Sequence, residues 1–184
     1  CPATSLLVST YMKDLMKKTK PSHAYEAIKR NHAPGGMMSY ESADDLKFYV
    51  KKGYCPGNAG KTLEWAFQDW GLSHMALRMG KKSDAALYEK RSRAWTPLFN
   101  KNIGLILPKK ENGEWLHTDP LNGQGWVEAN AWQATWSVSH DLPKLVELMG
   151  GGDAFCEKLN YAFEQARPTD FVHAYSGGYV SYAN

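Results

Sequence analysis

Residues 125–136 combine one carboxylate and two amides with three indole rings. They read Gly-Trp-Val-Glu-Ala-Asn-Ala-Trp-Gln-Ala-Thr-Trp. Carboxylate and amide side chains hydrogen-bond hydroxyl groups, flat indoles pack against the apolar face of a sugar ring, and the interleaved alanines leave room for one. This stretch therefore predicts a carbohydrate pocket.

Glu128 is the residue of this stretch that could carry a reaction. If Glu128 begins a helix, Trp132 lies one turn further on, and the carboxyl group sits above an indole at the mouth of a pit. An apolar wall disfavours the charged form of a carboxyl group, as required of a general acid that protonates a glycosidic oxygen near neutral pH. The alternative is an acidic residue that stabilises a helix N-terminus. The residues alone leave both interpretations open.

Other chemistries have little support in the sequence. It contains no H-E-x-x-H, P-loop or G-x-S-x-G motif. Cys1, Cys55 and Cys156 form no C-x-x-C pair, so neither a zinc site nor a disulfide framework is predicted. We expect Cys1 to mark the edge of an excerpt and not a lipidated N-terminus.

Composition excludes further classes of protein. A chain of 184 residues fits one domain, and 43% hydrophobic with 22% charged residues is typical of a soluble globular protein. The 22 Lys and Arg residues stand against 19 Asp and Glu and are scattered in short pairs, so no nucleic-acid partner is predicted. No apolar run approaches the ~18 residues of a membrane helix, so no membrane span is predicted.

The elements that must position these residues are mostly helices. Hydrophobic residues recur at helical spacing between loops rich in Pro and Gly. Ser42 reads as a helix cap after a loop over residues 31–40, and the Gly- and Tyr-rich residues 175–184 read as a second loop. A further helix is predicted from Val127 to Met149, with a break at Pro143. The order of helix and loop predicts an all-α stack of helical hairpins.

The helix predicted over residues 61–80 is apolar on two faces. One stripe holds Leu63, Phe67, Trp70, His74 and Leu77, and a nearly opposite stripe holds Trp65, Leu72, Ala76 and Met79. A surface helix carries one apolar stripe, so this helix is expected to lie between two layers, with Trp70 in the core.

One short segment has an extended pattern. Residues 105–107 and 115–116 are apolar and flank Asn112-Gly113, which is a hairpin signal. A small β-hairpin excursion is therefore predicted near residues 103–116.

Several motifs together resemble one enzyme family. Residues 128–141 are similar to E-G-N-A-W-Q-Y-T-W-F-V-P-H-D, residues 61–70 to S-x-T-L-E-Y-A-Y-D-D-W, and residues 115–120 to W-x-x-F-D-P. These patterns are those of glycoside hydrolase family 92, the calcium-dependent exo-acting α-mannosidases. The resemblance covers nearly the whole chain in consistent order, and the departures in the first motif are Ala129, Ala134, Ser137 and Ser139.

The resemblance implies an architecture larger than this chain. Members of the family pair an N-terminal β-sandwich with an (α/α)6 toroid. Residues 1–184 correspond to the middle of the toroid, so the β-sandwich and the C-terminal part of the toroid are expected to lie outside this sequence. Such an isolated chain is expected to be inactive and to expose apolar helix faces to the remaining parts of the parent enzyme.

The resemblance also implies an inverting hydrolysis of terminal α-linked mannose from glycans. Glu128 aligns with the general acid, and Trp132, Gln133, Trp126, Glu64 and Asp69 are the candidates for the substrate pocket. The aspartates that act as base and hold Ca²⁺ are expected beyond Asn184, so no metal ligand is assigned to this chain. Members of the family are mostly secreted or periplasmic, and a bacterial origin is expected.

Two other functions remain open from the sequence. A different (α/α)6 toroid glycosidase, such as one acting on α-glucosides, could also use a glutamate acid. A helical carbohydrate-binding module without catalysis would need the same aromatic wall and no acid. The monosaccharide released by the parent enzyme distinguishes the first alternative, and the presence of the downstream aspartates distinguishes the second.

Overall fold

The computed structural model describes residues 3–36, 43–173 and 177–181. It is mostly helical with one small sheet, which confirms the predicted fold class. The described helices are α1 (Ala3–Met12), α2 (Pro21–Asn31), α3 (Ala43–Lys52), α4 (Ala59–Arg78), α5 (Lys82–Arg91), α6 (Ala131–Ala134), α7 (Leu142–Met149) and α8 (Gly152–Gln165). The strands are β1 (Phe99–Asn100) and β2 (Leu105–Ile106). The predicted cap at Ser42 lies outside the described residues, as do residues 37–40 of one predicted loop and residues 175–176 and 182–184 of the other.

The chain divides into two compact units. Unit A comprises Cys1–Tyr54 and Glu64–Ala94, and unit B comprises Cys55–Leu63 and Trp95–Asn184. Helix α4 begins in unit B and continues through unit A. Within the described ranges, no helix is both long and apolar enough to cross a membrane.

Unit A is built around one apolar cluster. Helices α1, α2, α4 and α5 contribute residues to it, with Val8, Ile28, Leu72, Met75 and Tyr88 among the buried members. Burial of such side chains contributes about 1.5–3 kcal/mol each. This cluster therefore holds α1, α2, α4 and α5 together.

Helix α4 has the two apolar stripes that the sequence predicts, but they are buried unequally. Trp65, Leu72 and Ala76 of one stripe are buried. On the other stripe the rings of Phe67 and Trp70 stack, with centroids 5.8 Å apart, and Leu77 is 60% exposed. The expectation that Trp70 belongs to the core is therefore met only in part, since it is half-buried.

The predicted β excursion is present in unit B, one hairpin longer than expected. β1 pairs with β2 in antiparallel register, Phe99 opposite Ile106, which the sequence did not indicate. The turn at Asn112-Gly113 also forms, with a bridge between Lys109 and Trp115 on either side of it. The chain thus folds back twice between residues 99 and 116.

The helix predicted from Val127 to Met149 is wrong at its start and in its continuity. Helix α6 begins at Ala131, two 3-10 turns follow over Thr135–Ser137 and Ser139–Asp141, and α7 begins at Leu142. The Thr135 hydroxyl donates to the Ala131 carbonyl at 2.7 Å and accepts the Ile106 amide at 3.0 Å. A side chain that replaces backbone partners in this way competes with a regular helix.

Candidate active site

The loop that carries Glu128 is fixed at its first end by Gly125. Gly125 has φ +85°, and a Cβ atom there would lie 2.7 Å from Pro108 Cβ and 3.0 Å from the Gly57 carbonyl oxygen. Its own carbonyl oxygen accepts a hydrogen bond from the Ala59 amide at 2.8 Å, in the first turn of α4. Only glycine combines this backbone conformation with this close approach.

Asn130 fixes the second end of the loop. It has an extended backbone, and its Oδ1 atom accepts the Gln133 amide at 3.2 Å, which is the geometry of a helix N-cap. The Ala131 amide donates to the Pro120 carbonyl oxygen at 3.1 Å. The loop over residues 125–130 is therefore held on both sides of Glu128.

Glu128 itself is exposed and has φ +56°. This left-handed conformation costs a residue with a Cβ atom about 1 kcal/mol or more, and such strain concentrates at functional sites. Because Asn130 caps α6, Glu128 lies outside the helix, and the predicted one-turn spacing to Trp132 along a helix is wrong. The alternative of an acidic residue at the helix N-terminus fails for the same reason.

Trp126 lies within the same loop and is 9% exposed. Its indole Nε1 atom is buried and has no hydrogen-bond partner among the described residues. A buried donor without a partner is unfavourable in a folded protein unless a ligand, water or further chain satisfies it. Trp126 thus lies two residues before Glu128 in the chain and carries a buried indole donor without a described partner.

Trp132 is buried in an aromatic group on α6. Its ring centroid lies 5.5 Å from that of Tyr161 and 5.1 Å from that of Tyr179. The Lys158 ammonium lies 4.9 Å from the Trp132 ring and donates to the Ile103 carbonyl oxygen at 2.6 Å. Burial lowers the pKa of Lys158 below its usual range. The cation and the indole thus attract each other in a partly dehydrated position.

Trp132 also lines two cavities of unit B. One measures about 550 Å³ and has both polar and apolar walls: Lys101, Asn102, Ile103, Gly104, Trp132, Met149, Ala154, Glu157, Lys158 and Tyr161. The other measures about 160 Å³ and is lined by Gln133 and Tyr179, among others. An indole beside amide, carboxylate and ammonium groups is a suitable wall for a sugar.

Gln133 contacts the backbone of a distant segment. Its Nε2 atom donates to the Gly178 carbonyl oxygen at 3.0 Å and to that of Val180 at 3.4 Å. The Nδ2 atom of Asn130 donates to the same Gly178 oxygen at 2.9 Å. The sequence predicts Gln133 as a pocket residue. It does not reveal that Asn130 caps α6, or that Asn130 and Gln133 both bind the segment of residues 177–181. The available signal for the cap was Asn130 itself, because asparagine is a preferred N-cap residue and stands directly before the helical stretch that begins at Ala131.

Glu64 and Asp69, the two acidic candidates of unit A, have different environments. Glu64 is exposed and accepts a hydrogen bond from Gln68 Nε2 at 2.7 Å along α4. Asp69 is fully buried, at 0% exposure. It accepts hydrogen bonds from the Tyr49 hydroxyl and from Arg91 Nε, both at 2.9 Å.

The remaining partner of Asp69 is His32, whose Nδ1 atom lies 2.7 Å from Asp69 Oδ1. On the other side of the ring, Nε2 lies 3.3 Å from the Thr4 hydroxyl. Hydroxyl, imidazole and carboxylate thus stand in the order of a nucleophilic triad. All three residues are at most 1% exposed, so no substrate reaches them, and Asp69 acts here in the fold of unit A.

A calcium site is not formed by the residues that the structure describes. Ca²⁺ takes six to eight oxygen ligands, with carboxylates prominent among them. No group of three or more His, Cys, Asp or Glu side chains in the described ranges could hold a metal ion. The described residues therefore do not fit the ion.

Comparison with known proteins identifies the class to which this helical chain belongs. The sequence model of the glycosyl hydrolase family 92 catalytic domain matches residues 1–184. The chain belongs to glycosyl hydrolase family 92. It is 29% identical to the family 92 inverting mannosidase BT2199 of Bacteroides thetaiotaomicron, with a TM-score of 0.80 over 88% of this chain.

Two further proteins are similar to this chain, one in structure and one in sequence. The family 92 α-mannosidase BT3965 of Bacteroides thetaiotaomicron is 24% identical, with a TM-score of 0.80 over 92% of this chain. An uncharacterized secreted glycosidase of Arthroderma benhamiae is 24% identical over 86% of this chain. The chain spans 23% of each mannosidase structure and 26% of the Arthroderma protein, so it corresponds to about a quarter of each relative.

Proposed function

We propose that the full-length protein carrying this chain is an inverting exo-α-mannosidase that removes terminal α-linked mannose from glycans, with Glu128 as its general acid. Membership of family 92 supports the class of reaction, and the relative BT2199 is an inverting mannosidase. The observation that carries the assignment of the acid is the backbone of Glu128. A strained, exposed carboxylate between two anchored loop ends is the arrangement expected of a positioned reactive group.

The reaction would proceed in one displacement. Glu128 protonates the glycosidic oxygen as the bond to mannose breaks, and a second carboxylate removes a proton from water on the opposite face of the sugar. The two carboxyl groups stand about 6.5–9.5 Å apart in inverting enzymes, which leaves room for that water. We place this base in the full-length protein outside the present sequence.

Residues around Glu128 would bind the sugar and hold the acid. Trp126 offers its indole N–H beside the acid, and Trp132 offers an aromatic wall to the cavity that also contains Glu157 and Lys158. Gln133 would act through the backbone that it holds. The exposed Glu64 remains a candidate contact for the glycan in the complete enzyme.

Calcium and the rest of the protein belong to the same proposal. We assign the Ca²⁺ ligands, the N-terminal β-sandwich and the remaining helices to parts of the full-length protein outside residues 1–184. The half-buried stripe of α4, with Leu77 60% exposed, is a surface that such helices would cover. Secretion is proposed from the description of the Arthroderma relative as secreted.

Replacement of Glu128 by glutamine in the full-length protein tests the acid. Glutamine keeps the shape of the side chain but cannot give up a proton to the leaving oxygen. We expect kcat on an unactivated mannoside to fall by about 100-fold or more, and kcat on a mannoside with a good leaving group to fall far less. The first-formed mannose, followed by NMR, should have the inverted anomeric configuration.

Glu111→Gln is the matched control, because Glu111 is an exposed glutamate of the same unit. It should leave both rates unchanged. Equal losses on the two substrates with Glu128→Gln would exclude the acid role. Glycan binding without release of mannose by the unaltered protein would instead favour a non-catalytic carbohydrate-binding module.

A further inference from the structure

We propose that Asn130 and Gln133 form an amide clamp that positions residues 177–181 beside the Glu128 loop, and that this positioning is their contribution to catalysis. The inference rests on the proposed function, because it assigns a role within the same site. In this proposal Gln133 does not contact the sugar directly. It contributes by holding the backbone of residues 177–181 in place.

The first half of the clamp is Asn130, which is 1% exposed and uses both ends of its amide. Its Oδ1 atom accepts the Gln133 amide at 3.2 Å and so caps α6. Its Nδ2 atom donates to the Gly178 carbonyl oxygen at 2.9 Å. Since acceptor and donor are both engaged, the orientation of the side chain is fixed. Gly178 is thus hydrogen-bonded to Asn130, the residue that ends the loop over residues 125–130.

The second half of the clamp is Gln133, one turn further along. Its Nε2 atom donates to the carbonyl oxygens of Gly178 and Val180, and the residue is only 7% exposed. The Gly178 oxygen therefore accepts from two amides, which matches the two lone pairs of a carbonyl group. Both N–H donors of the Gln133 amide are thus committed to buried backbone acceptors and do not reach sugar hydroxyls.

Residues 177–181 also pack against Asp170. A Cβ atom on Gly178 would overlap the Asp170 carboxylate, with Cγ at 2.6 Å, so the backbone lies directly against that group. Asp170 is fixed by Arg167, whose Nη2 atom donates at 2.7 Å, and this contact lowers the pKa of Asp170. The segment thus contacts Asp170 in addition to the two amides.

The position of the segment determines part of the aromatic wall. The Tyr179 ring packs against Trp132 at 5.1 Å and against Tyr161 at 5.9 Å. If Gly178 moves, we expect Tyr179 and Asn130, at the end of the loop over residues 125–130, to move with it. Displacement of a reacting group by about 1 Å can reduce a rate about 100-fold. The clamp therefore acts on the geometry of the site and not on the proton transfer itself.

The test uses the full-length protein with Gln133→Glu, which preserves shape but replaces the donor by a carboxylate facing two carbonyl oxygens. We expect kcat to fall about 100-fold on activated and unactivated mannosides alike, with KM changed less than about threefold. Amide hydrogen exchange at residues 178–181 should become faster. Activity should partly recover at acidic pH, where the protonated carboxyl group can donate again, whereas Gln133→Met should not recover.

Asn100→Asp is the matched control for the other amide variant, Asn130→Asp. Asn100 is a buried asparagine of the same unit whose Oδ1 atom accepts the amides of Asn102 and Ile103, which aspartate also does. Asn130→Asp should reproduce the loss seen with Gln133→Glu, and Asn100→Asp should retain the rates. Gly178→Ala displaces the segment with both amides intact, so it gives the same test if the amide variants do not fold.

The outcomes separate the clamp from the acid. A large increase in KM for Gln133→Glu with unchanged exchange at residues 178–181 would mean that Gln133 binds the sugar, and the clamp would be rejected. Equal losses for Glu128→Gln on both substrates would reject the proposed acid while the exchange data still supported the clamp. Unchanged rates in all three clamp variants would reject the positioning role alone.

Discussion

Asp69 in unit A and Glu128 in unit B are acidic residues that the sequence analysis assigns to one site, Asp69 as a candidate for the substrate pocket and Glu128 as the general acid. Both lie in stretches that resemble motifs of family 92. Asp69 is fully buried and accepts hydrogen bonds from Tyr49 and Arg91, with His32 on its other oxygen. Glu128 is exposed on a strained backbone between two anchors.

The contrast shows that two carboxylates from motifs of one family can have opposite environments, one buried among donors and one exposed on a loop. A buried charge must be surrounded by donors, since desolvation is otherwise very costly. A reactive carboxylate needs access to its substrate and a fixed position instead. Variants that remove either the buried carboxylate of unit A or the fixed position of Glu128 in unit B should therefore have different effects on stability and activity.

The largest expected effect on stability belongs to Asp69→Ala. It leaves Arg91, Tyr49 and His32 facing an empty position in the interior of unit A. Removal of one partner of a buried ion pair costs about 3–5 kcal/mol in free energy of unfolding. Urea unfolding of the full-length protein measures this loss.

Asp44→Ala is the control for Asp69, because Asp44 is an exposed partner of Lys47 on α3. Its loss should change stability by less than about 0.5 kcal/mol. The specific activity of the folded fraction of Asp69→Ala should remain near that of the unaltered protein. A stable variant without activity would show instead that Asp69 belongs to the reaction.

An intermediate effect on stability is expected from Gly125→Ala, which alters the first residue of the loop over residues 125–130. The new methyl group would meet Pro108 and the Gly57 carbonyl oxygen in addition to the left-handed strain. We expect a loss of about 2–4 kcal/mol, together with reduced kcat from displacement of Glu128.

Gly113→Ala isolates the steric part of that effect. Gly113 has φ +87°, and no atom lies within 4 Å of the position that the new methyl group would occupy, so only strain of about 1 kcal/mol applies. The difference between the two variants in thermal or urea unfolding reports the close approach at Gly125. Equal losses of stability in Gly125→Ala and Gly113→Ala would mean that the loop over residues 125–130 adjusts to the new methyl group without a free-energy penalty.

The smallest effect has the opposite sign. Glu128→Gly should raise the free energy of unfolding by about 0.5–1 kcal/mol, because removal of Cβ relieves the left-handed strain. Activity on unactivated mannosides should be lost. Glu111→Gly, at a position without positive φ, should lower stability by a similar amount. A loss of stability in Glu128→Gly would contradict the assigned strain.

Local pattern was sufficient to predict much of the fold. The two stripes of α4 and the turn at Asn112-Gly113 follow from periodicity and turn chemistry, and both are present. The helix start predicted at Val127 is wrong, because α6 begins at Ala131. Asn130 is the stronger cap, and its extended backbone ends the loop there.

The candidate site depended on contacts that no local pattern contains. The partners of Gln133 lie 45 and 47 residues away, and those of Asp69 lie in three other elements. Sequence reasoning identified Trp132 and Gln133 as neighbours in one region but could not show that an amide binds backbone rather than ligand. Burial, which separates Asp69 from Glu64, is likewise a property of the assembled units.

The long separation between Asn130 and Gly178 has a consequence for synthesis on the ribosome. The two residues are 48 positions apart, so the nascent chain exposes the donors of the clamp well before their acceptor has been made. Helices α7 and α8 have time to form in that interval, since local helices form in microseconds while translation adds about 5–20 residues per second. The loop over residues 125–130 thus acquires the Asn130–Gly178 contact only after the chain of α7 and α8 has been made, which makes its completion a late event of biogenesis.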